Sequence, residues 1–207
     1  MERFVISIGR EIGSGGKEIA EKLAKRLNVS VYDKKLLEVA AQESGLDAAA
    51  FENVDEQESG SFLGGMVALR NVLAGYFNAD SCMNSDALFG IQSEAIRTIA
   101  ERESCITIGR CSEYVLRDHP CMISIFITAD CNDRIQRIMQ KEGLSEEKAR
   151  EFMERGDRKR KSYHDYYATT QWGVAHSYDL CVNSSRLGID GTVDFIYHYL
   201  RSKLKIA

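Results

Sequence analysis

The chain has 207 residues, a formal net charge of −4 at pH 7, one proline and 44% hydrophobic residues. This composition supports one sizeable core, so we expect a single domain over residues 1–207. The net negative charge excludes a polycationic protein that binds nucleic acid. No stretch is apolar over the length that a membrane span or a signal peptide requires. We therefore expect a cytoplasmic protein with neither nucleic-acid nor membrane partners.

The first predicted elements form a β-α-β unit. The apolar run FVISI at 4–8 predicts a strand buried in a sheet. From Lys17 to Leu27 apolar side chains recur at helical spacing, and VSVYD at 29–33 predicts a second strand. The glycine-rich sequence GSGGK at 13–17 connects the first strand to the helix.

Helical patterns follow the second strand. They cover 34–41, 66–77 and 86–102, whereas the acidic, glycine-containing stretch 42–65 predicts a mobile surface connection.

The C-terminal half alternates strands and helices. Two runs rich in β-branched residues, CITIG at 105–109 and MISIFIT at 122–128, predict strands. The remaining predicted elements are two helices, one strand and a closing helix, at 132–142, 145–161, 178–183 and around Val193 to Leu204. This alternation predicts an α/β fold with a mainly parallel sheet.

Six cysteines stand at positions 82, 105, 111, 121, 131 and 181, without a C-x-x-C pair. This spacing predicts buried, reduced thiols rather than a metal site or a disulfide framework.

The glycine-rich loop has the composition of a phosphate-binding loop. Such a loop directs backbone N–H groups at an anion, and the helix that follows adds the positive end of its dipole. Arg10 and Lys17 flank the glycines with positive charge. A tight strand-to-helix turn is the structural alternative.

The loop fits the Walker A pattern G-x-x-x-x-G-K-[ST] in neither of two registers. If Gly15 is the second glycine, Arg10 stands at the first glycine and Gly16 at the lysine. If Gly16 is the second glycine, Lys17 is in register, but Glu18 replaces the hydroxyl residue that binds Mg²⁺.

Arginines cluster in the C-terminal half. Arg110 follows a predicted strand, Arg134 and Arg137 share a helix face, and 154–161 is strongly basic. For any one of these residues a solvated helix face is the simpler interpretation. As a group they suit phosphoryl transfer, whose transition state spreads negative charge over several oxygens.

These motifs, in this order, resemble the cytidylate kinase-like proteins of the nucleoside monophosphate kinase group, in particular a diverged branch with a GSGG loop. The resembling stretches are ISIGREIGSGGKEIA, VYDKKLL, ITIGRCSEYVL, ERGDRKRKSYHDYY and YDLCVNSSRLGIDGTVDFI. The resemblance covers nearly the whole chain and is weakest over 42–85.

The resemblance implies ATP as donor, Mg²⁺, nucleotides as small-molecule partners, and a P-loop kinase fold with a parallel five-stranded sheet. It further implies a helical acceptor-binding segment at about 34–104 and a lid at about 140–170. The loop residues Gly13, Ser14, Gly15, Gly16 and Lys17, with Arg10 beside them, would hold the donor phosphates. Lys17 would also act in transfer, where Arg134, Arg137, Arg155 and Arg158 would grip phosphates. Asp33 and Arg110 would face the acceptor nucleotide, as would Arg137, and Asp157 would orient the lid or a sugar hydroxyl.

The chain departs from cytidylate kinases themselves at several motif positions. Gly16 stands in place of their lysine, Tyr32-Asp33-Lys34-Lys35 in place of a serine-containing acceptor motif, and Ser162 in place of a lid arginine. Three functions stay open: transfer of the γ-phosphate to CMP or dCMP, regulation by nucleotide binding without transfer, and phosphorylation of another small metabolite. The sequence does not predict metal ligands on the protein or an oligomeric state.

Overall fold

The computed structural model describes residues 3–33 and 85–205. Of these, residues 3–32 and 100–205 form one compact unit, and Asp33 with 85–99 belongs to a second. The predicted helices at 34–41 and 66–77 and the predicted connection at 42–65 lie outside the described residues. The single domain, the acceptor-binding segment and the lid stay predictions.

The first compact unit contains a parallel five-stranded sheet, as the sequence predicts. Its strands are β1 (Val5–Arg10), β2 (Ser30–Tyr32), β3 (Cys105–Ile108), β4 (Met122–Thr128) and β5 (Leu180–Asn183), in the order β2-β3-β1-β4-β5. Ile6 of β1 lies opposite Ile106 on one side and Ile123 on the other. Because all strands are parallel, their carboxyl ends meet at one edge, where ligands bind in open α/β sheets.

The described helices agree with the predicted positions in most cases. They are α1 (Gly16–Leu27), α2 (Ser85–Arg102), α3 (Ser112–Val115), α4 (Cys131–Glu142), α5 (Glu146–Tyr167) and α6 (Gly188–Leu204), with a 3₁₀ turn at Ala175–Ser177. Helix α5 extends six residues beyond the predicted end, and α3 was not predicted because one helical turn carries no periodicity. None of the described helices is both long and apolar enough to cross a membrane.

One sheet face is apolar. Ile6 and Ile8 of β1 pack with Ile19 and Leu23 of α1 and with Ile196 of α6 in the main core. Fully burying each of these side chains stabilises the fold by about 2 kcal/mol. The core therefore fixes the start of α1 relative to the end of β1, and so positions the loop between them.

The opposite sheet face carries buried polar groups. Ser7 of β1 lies beside Thr107 of β3 and Ser124 of β4 in the sheet register. The Ser7 hydroxyl lies 2.7 Å from the Ser112 hydroxyl of α3, and the Thr107 hydroxyl donates to Ser112 at 2.8 Å. These hydrogen bonds replace the water that the buried hydroxyls lose on folding.

The cysteine prediction is only partly correct. Cys105 and Cys111 are buried free thiols, whereas Cys131 and Cys181 are exposed, and Cys82 lies outside the described residues. Burial, and then the negative charge of Glu103, raises the pKa of Cys105 to about 12, so that thiol stays protonated and unreactive.

Candidate functional site: a glycine-rich loop held by two helices and Ser184

The loop between β1 and α1 consists of residues 11–15 and requires glycine at two positions. Gly13 and Gly15 have φ of 76° and 78°, in the left-handed region that side chains disfavour. A Cβ on Gly13 would also lie 2.6 Å from the carbonyl oxygen of Arg134, and one on Gly15 would lie 2.3 Å from Cδ1 of Ile189. At Gly13 both conformation and backbone contact therefore disfavour a side chain, whereas at Gly15 the positive φ is the stronger constraint because the Ile189 side chain can shift.

Three successive carbonyls of this loop accept hydrogen bonds from side chains outside it. Arg134 Nε donates to the Ile12 carbonyl at 2.7 Å, and Arg137 Nη1 donates to the Gly13 carbonyl at 3.1 Å. The hydroxyl of Ser184, after β5, donates to the Ser14 carbonyl at 2.7 Å. Because its carbonyls are held by these donors, the loop has a fixed backbone orientation.

The amides at the start of α1 face the same loop. The first N–H groups of any helix lack partners within the helix. Gly15 is the N-cap residue and has no side-chain cap hydrogen bond. The amides of the first turn, with the positive end of the helix dipole, therefore form a site for an anion such as a phosphate.

The backbone favours one of the two Walker registers. A loop glycine is required where φ is positive, which applies to Gly15, whereas Gly16 is the first residue of α1. With Gly15 as the second glycine, Arg10 takes the place of the first glycine and Gly16 that of the lysine. Lys17 then takes the position of the hydroxyl residue, and its side chain is exposed.

Arg134 is bonded to protein groups around the loop. Its side chain is 8% exposed, pairs with Asp157, and lies 3.2 Å from Glu11. The Thr128 hydroxyl donates to the same Glu11 carboxylate. A buried arginine with two carboxylates is compensated in charge, so in this structure Arg134 orders the loop.

Helix α5, in the predicted lid, is hydrogen-bonded directly to the loop. Asp157 accepts from the Ile12 amide at 2.8 Å, and Arg160 Nη1 donates to the Arg10 carbonyl at 2.8 Å. Gly156 allows close contact, since a Cβ there would lie 2.7 Å from Cγ1 of Ile12. Hydrogen bonds and close packing therefore join α5 to the loop and to the end of β1.

The other arginines that were predicted to grip phosphates occupy two different places. Arg137 lies at the loop, bonded to Gly13, whereas Arg155 and Arg158 are exposed on α5. Arg158 pairs with Glu154 at 3.5 Å, and among the described residues neither Arg155 nor Arg158 is bonded to the loop. In this structure the two are surface cations, and a phosphate-gripping role for them stays a prediction.

The carboxyl end of β3 has an unusual backbone. Gly109, Arg110 and Cys111 have φ of 67°, 63° and 54° in succession. For the two residues that are not glycine, this conformation costs on the order of 1–2 kcal/mol each. The side chain of Arg110 is buried at this edge. The backbone conformation therefore holds a buried arginine at the carboxyl edge of the sheet, and its role toward an acceptor stays a prediction.

Beneath this edge, α5 is joined to the sheet by a buried ion pair. His164 Nε2 lies 2.8 Å from Glu113 Oε1, and Ser7 donates to the other Glu113 oxygen at 3.1 Å. Burial alone lowers the pKa of His164, but the hydrogen bond and charge of Glu113, with Asp165, outweigh it and raise the pKa above 6.5. When it is protonated, His164 pairs with Glu113 and so connects α5 to α3, and Glu113 is bonded in turn to Ser7 of β1.

Asp33 follows β2 directly and is partly exposed. Sequence reasoning did not assign Glu11, Arg160 or Ser184 to the site. Arg160 lies in the basic stretch 154–161, whereas nothing in the sequence distinguishes Ser184 from neighbouring serines.

The residues of the loop suit the binding of ATP phosphates better than the coordination of a metal ion. The glycine cradle and the free end of α1 match a chain of phosphates. For Mg²⁺, Lys17 stands where the hydroxyl ligand is expected, and the Ser14 hydroxyl donates to the Glu11 carbonyl at 2.9 Å. The described residues include no group of three or more His, Cys, Asp or Glu side chains placed to hold a metal. The side chains of the loop therefore do not form a set of magnesium ligands.

Comparison with known proteins agrees with this architecture. The profile of the family described as "Cytidylate kinase-like family" matches residues 5–186. A cytidylate kinase of Methanopyrus kandleri is 27% identical over 202 residues, which cover 93% of this chain and 90% of that protein.

Solved structures show the same fold. An uncharacterized protein from Eubacterium ventriosum is 31% identical, with a TM-score of 0.71 and coverage of 97% of this chain and 99% of that one. Shikimate kinase from Bacteroides thetaiotaomicron has a TM-score of 0.53 at 11% identity, covering 96% and 98% of the two chains. At that identity the likeness concerns the fold alone.

Proposed function

The chain belongs to the cytidylate kinase-like family, and from that premise we propose that it is an ATP-dependent phosphotransferase with a nucleoside monophosphate, CMP or dCMP, as acceptor. The observation that carries the proposal is the loop whose three carbonyls are held by Arg134, Arg137 and Ser184. This arrangement orients a backbone cradle for the donor phosphates. Kinases of this kind use ATP and typically Mg²⁺.

The donor phosphates are bound by the loop from Gly13 to Lys17. The amides at the start of α1 donate hydrogen bonds to phosphate oxygens, and the helix dipole adds favourable potential. Arg137, 3.1 Å from the Gly13 carbonyl, places a further cation beside the cradle.

The acceptor nucleotide is bound at the carboxyl edge of the sheet, with Arg110 at its phosphate. A nucleoside monophosphate is already anionic, so its attacking oxygen needs no general base. The protein contributes position and charge neutralisation, which dominate phosphoryl transfer.

Helix α5 limits water at the transferring phosphoryl group. It is bonded to the loop through Asp157 and to the end of β1 through Arg160. Excluding water strengthens each charged contact and suppresses hydrolysis of ATP in place of transfer.

The test is a measurement of ADP release by the purified protein with ATP, Mg²⁺ and a panel of acceptors. We expect turnover with CMP or dCMP that exceeds turnover with AMP, GMP and UMP, and ³¹P NMR should identify the diphosphate product. Shikimate serves as the acceptor from outside the nucleotide class. Turnover only with a metabolite that is not a nucleotide would overturn the choice of acceptor and keep the transfer reaction.

One observation favours a second function, a nucleotide-binding regulator. Glycine at position 16 removes the lysine that standard phosphate loops use. Tight ATP binding without turnover on any acceptor would support the regulator, and calorimetry with ATP and ADP distinguishes the two functions.

A further inference from the structure

The side chain of Arg10 follows an unusual path across the site. Arg10 is the last residue of β1 and is 9% exposed. Its Cβ would lie 2.6 Å from a Cβ on Gly16, at the start of α1. Its Nη1 would lie 2.1 Å from a Cβ on Gly109, at the end of β3. The arginine therefore fills the space that two glycines leave empty.

The backbone of Arg10 is also held by its neighbours. The Arg10 carbonyl accepts from Arg160 Nη1 at 2.8 Å, and Arg10 pairs with Ile127 of β4 in the sheet. The aliphatic stem of Arg10 consequently lies at the start of α1, and its guanidinium lies at the end of β3, at the carboxyl edge of the sheet. That is the edge at which ligands of open parallel sheets bind.

Arg10 and Gly16 have exchanged roles relative to the Walker pattern. The pattern has glycine where Arg10 stands and lysine where Gly16 stands. A lysine at 16 would compete with Arg10 for the same space, because even a Cβ there would overlap the Arg10 side chain. The chain thus keeps one small residue and one cation at this pair of positions, with their places reversed.

We propose that Arg10 gives the donor phosphates the charge that the loop lysine gives in standard phosphate loops. This inference rests on the proposed phosphotransferase function and deepens it. A guanidinium binds phosphate in a bidentate manner, and its burial leaves its charge less screened than that of exposed Lys17. Arg10 is therefore the principal side-chain cation for ATP.

The test restores the standard pattern. Arg10→Met removes the charge and keeps the bulk; it should lower kcat/KM for ATP by at least about 30-fold, as for a lost charged contact. KM for the acceptor should change less than about threefold. Arg10→Gly should lose activity similarly, and adding Gly16→Lys to it should recover activity to within about fivefold of wild type. Gly16→Lys alone should be impaired, because Arg10 still fills the space.

The matched control is Arg26→Met, on the exposed part of α1, which should behave as wild type. The proposal is overturned if folded Arg10→Met retains wild-type kcat/KM for ATP. It is also overturned if the double variant is no more active than folded Arg10→Gly.

A measurement on the wild-type protein covers the case in which the variants unfold. The Nε resonance of Arg10 should shift on titration with ADP, and an unchanged resonance overturns the inference. Failure of the proposed function gives a different result, since the wild-type protein would then neither bind ATP or ADP nor transfer phosphate.

Discussion

Single side chains at this site fall into two groups, those bonded to the loop and those exposed to solvent. Arg134 is in the first group, because Glu11 and Asp157 compensate its charge. Lys17 is in the second group, because it is exposed in the first turn of α1. The distinction sets the expected size of each substitution effect.

Lys17→Ala should raise KM for ATP by about threefold to tenfold. An exposed ammonium near phosphates is screened by solvent, so its loss costs less than that of a buried cation. Steady-state kinetics measure the effect, with Lys25→Ala on the exposed side of α1 as the control. An effect larger than that of Arg10→Met would return the principal role to Lys17.

Arg110→Ala should raise KM for the nucleoside monophosphate by about 30-fold or more, consistent with loss of a charged phosphate contact. KM for ATP should change less than about threefold, because the donor loop is built from other residues. Arg117→Ala, an exposed arginine after α3, is the control. Equal loss toward both substrates would contradict an acceptor role.

At the scale of elements, helix α5 is both predicted lid and support of the loop. Its sequence shows a basic amphipathic helix and gives no sign that Asp157 reaches the Ile12 amide, 145 positions earlier. The pairing depends on how α4 and α5 pack, around Ile135, Ile138, Ala149 and Met153. Periodicity predicts such helices well, whereas a single tertiary hydrogen bond leaves no periodic signal.

Asp157→Asn should destabilise the protein by about 2 kcal/mol, because Arg134 then keeps only Glu11 as a charged partner. For a chain of this size the melting temperature should fall by about 4–8 °C, and ATP affinity should fall with it because the loop loses an anchor. Asp133→Asn, an exposed change on α4, is the control. Unchanged ATP affinity would show that the loop holds its conformation without α5.

For the whole molecule, the sequence predicts the parallel sheet and its flanking helices because β-branched runs and helical stripes alternate clearly. It predicts the loop as the phosphate site because glycine, strand and helix stand in order. It does not predict which register the loop adopts, since that depends on φ at Gly15. Nor does it predict the Glu113–His164 pair, which joins residues far apart in sequence.

This buried pair should make stability depend on pH. The folded-state pKa of His164 is raised above 6.5, so its stabilising contribution is complete below that pH and is lost as pH rises through the raised value. Denaturation midpoints should therefore decline from pH 6 toward alkaline pH. His164→Gln should flatten the decline and His198→Gln, on the exposed side of α6, should not. An identical decline in His164→Gln would assign the pH dependence to other groups.

The hydrogen bonds to the carbonyls of Ile12, Gly13 and Ser14 also affect the entropy cost of binding a nucleotide. Ordering a flexible backbone costs about 1–2 kcal/mol per residue. When a loop becomes ordered only on binding its ligand, that cost reduces the binding affinity. In this loop the ordering occurs during folding, before any ligand binds. Nucleotide association should consequently be a single fast step without a slower phase of loop rearrangement.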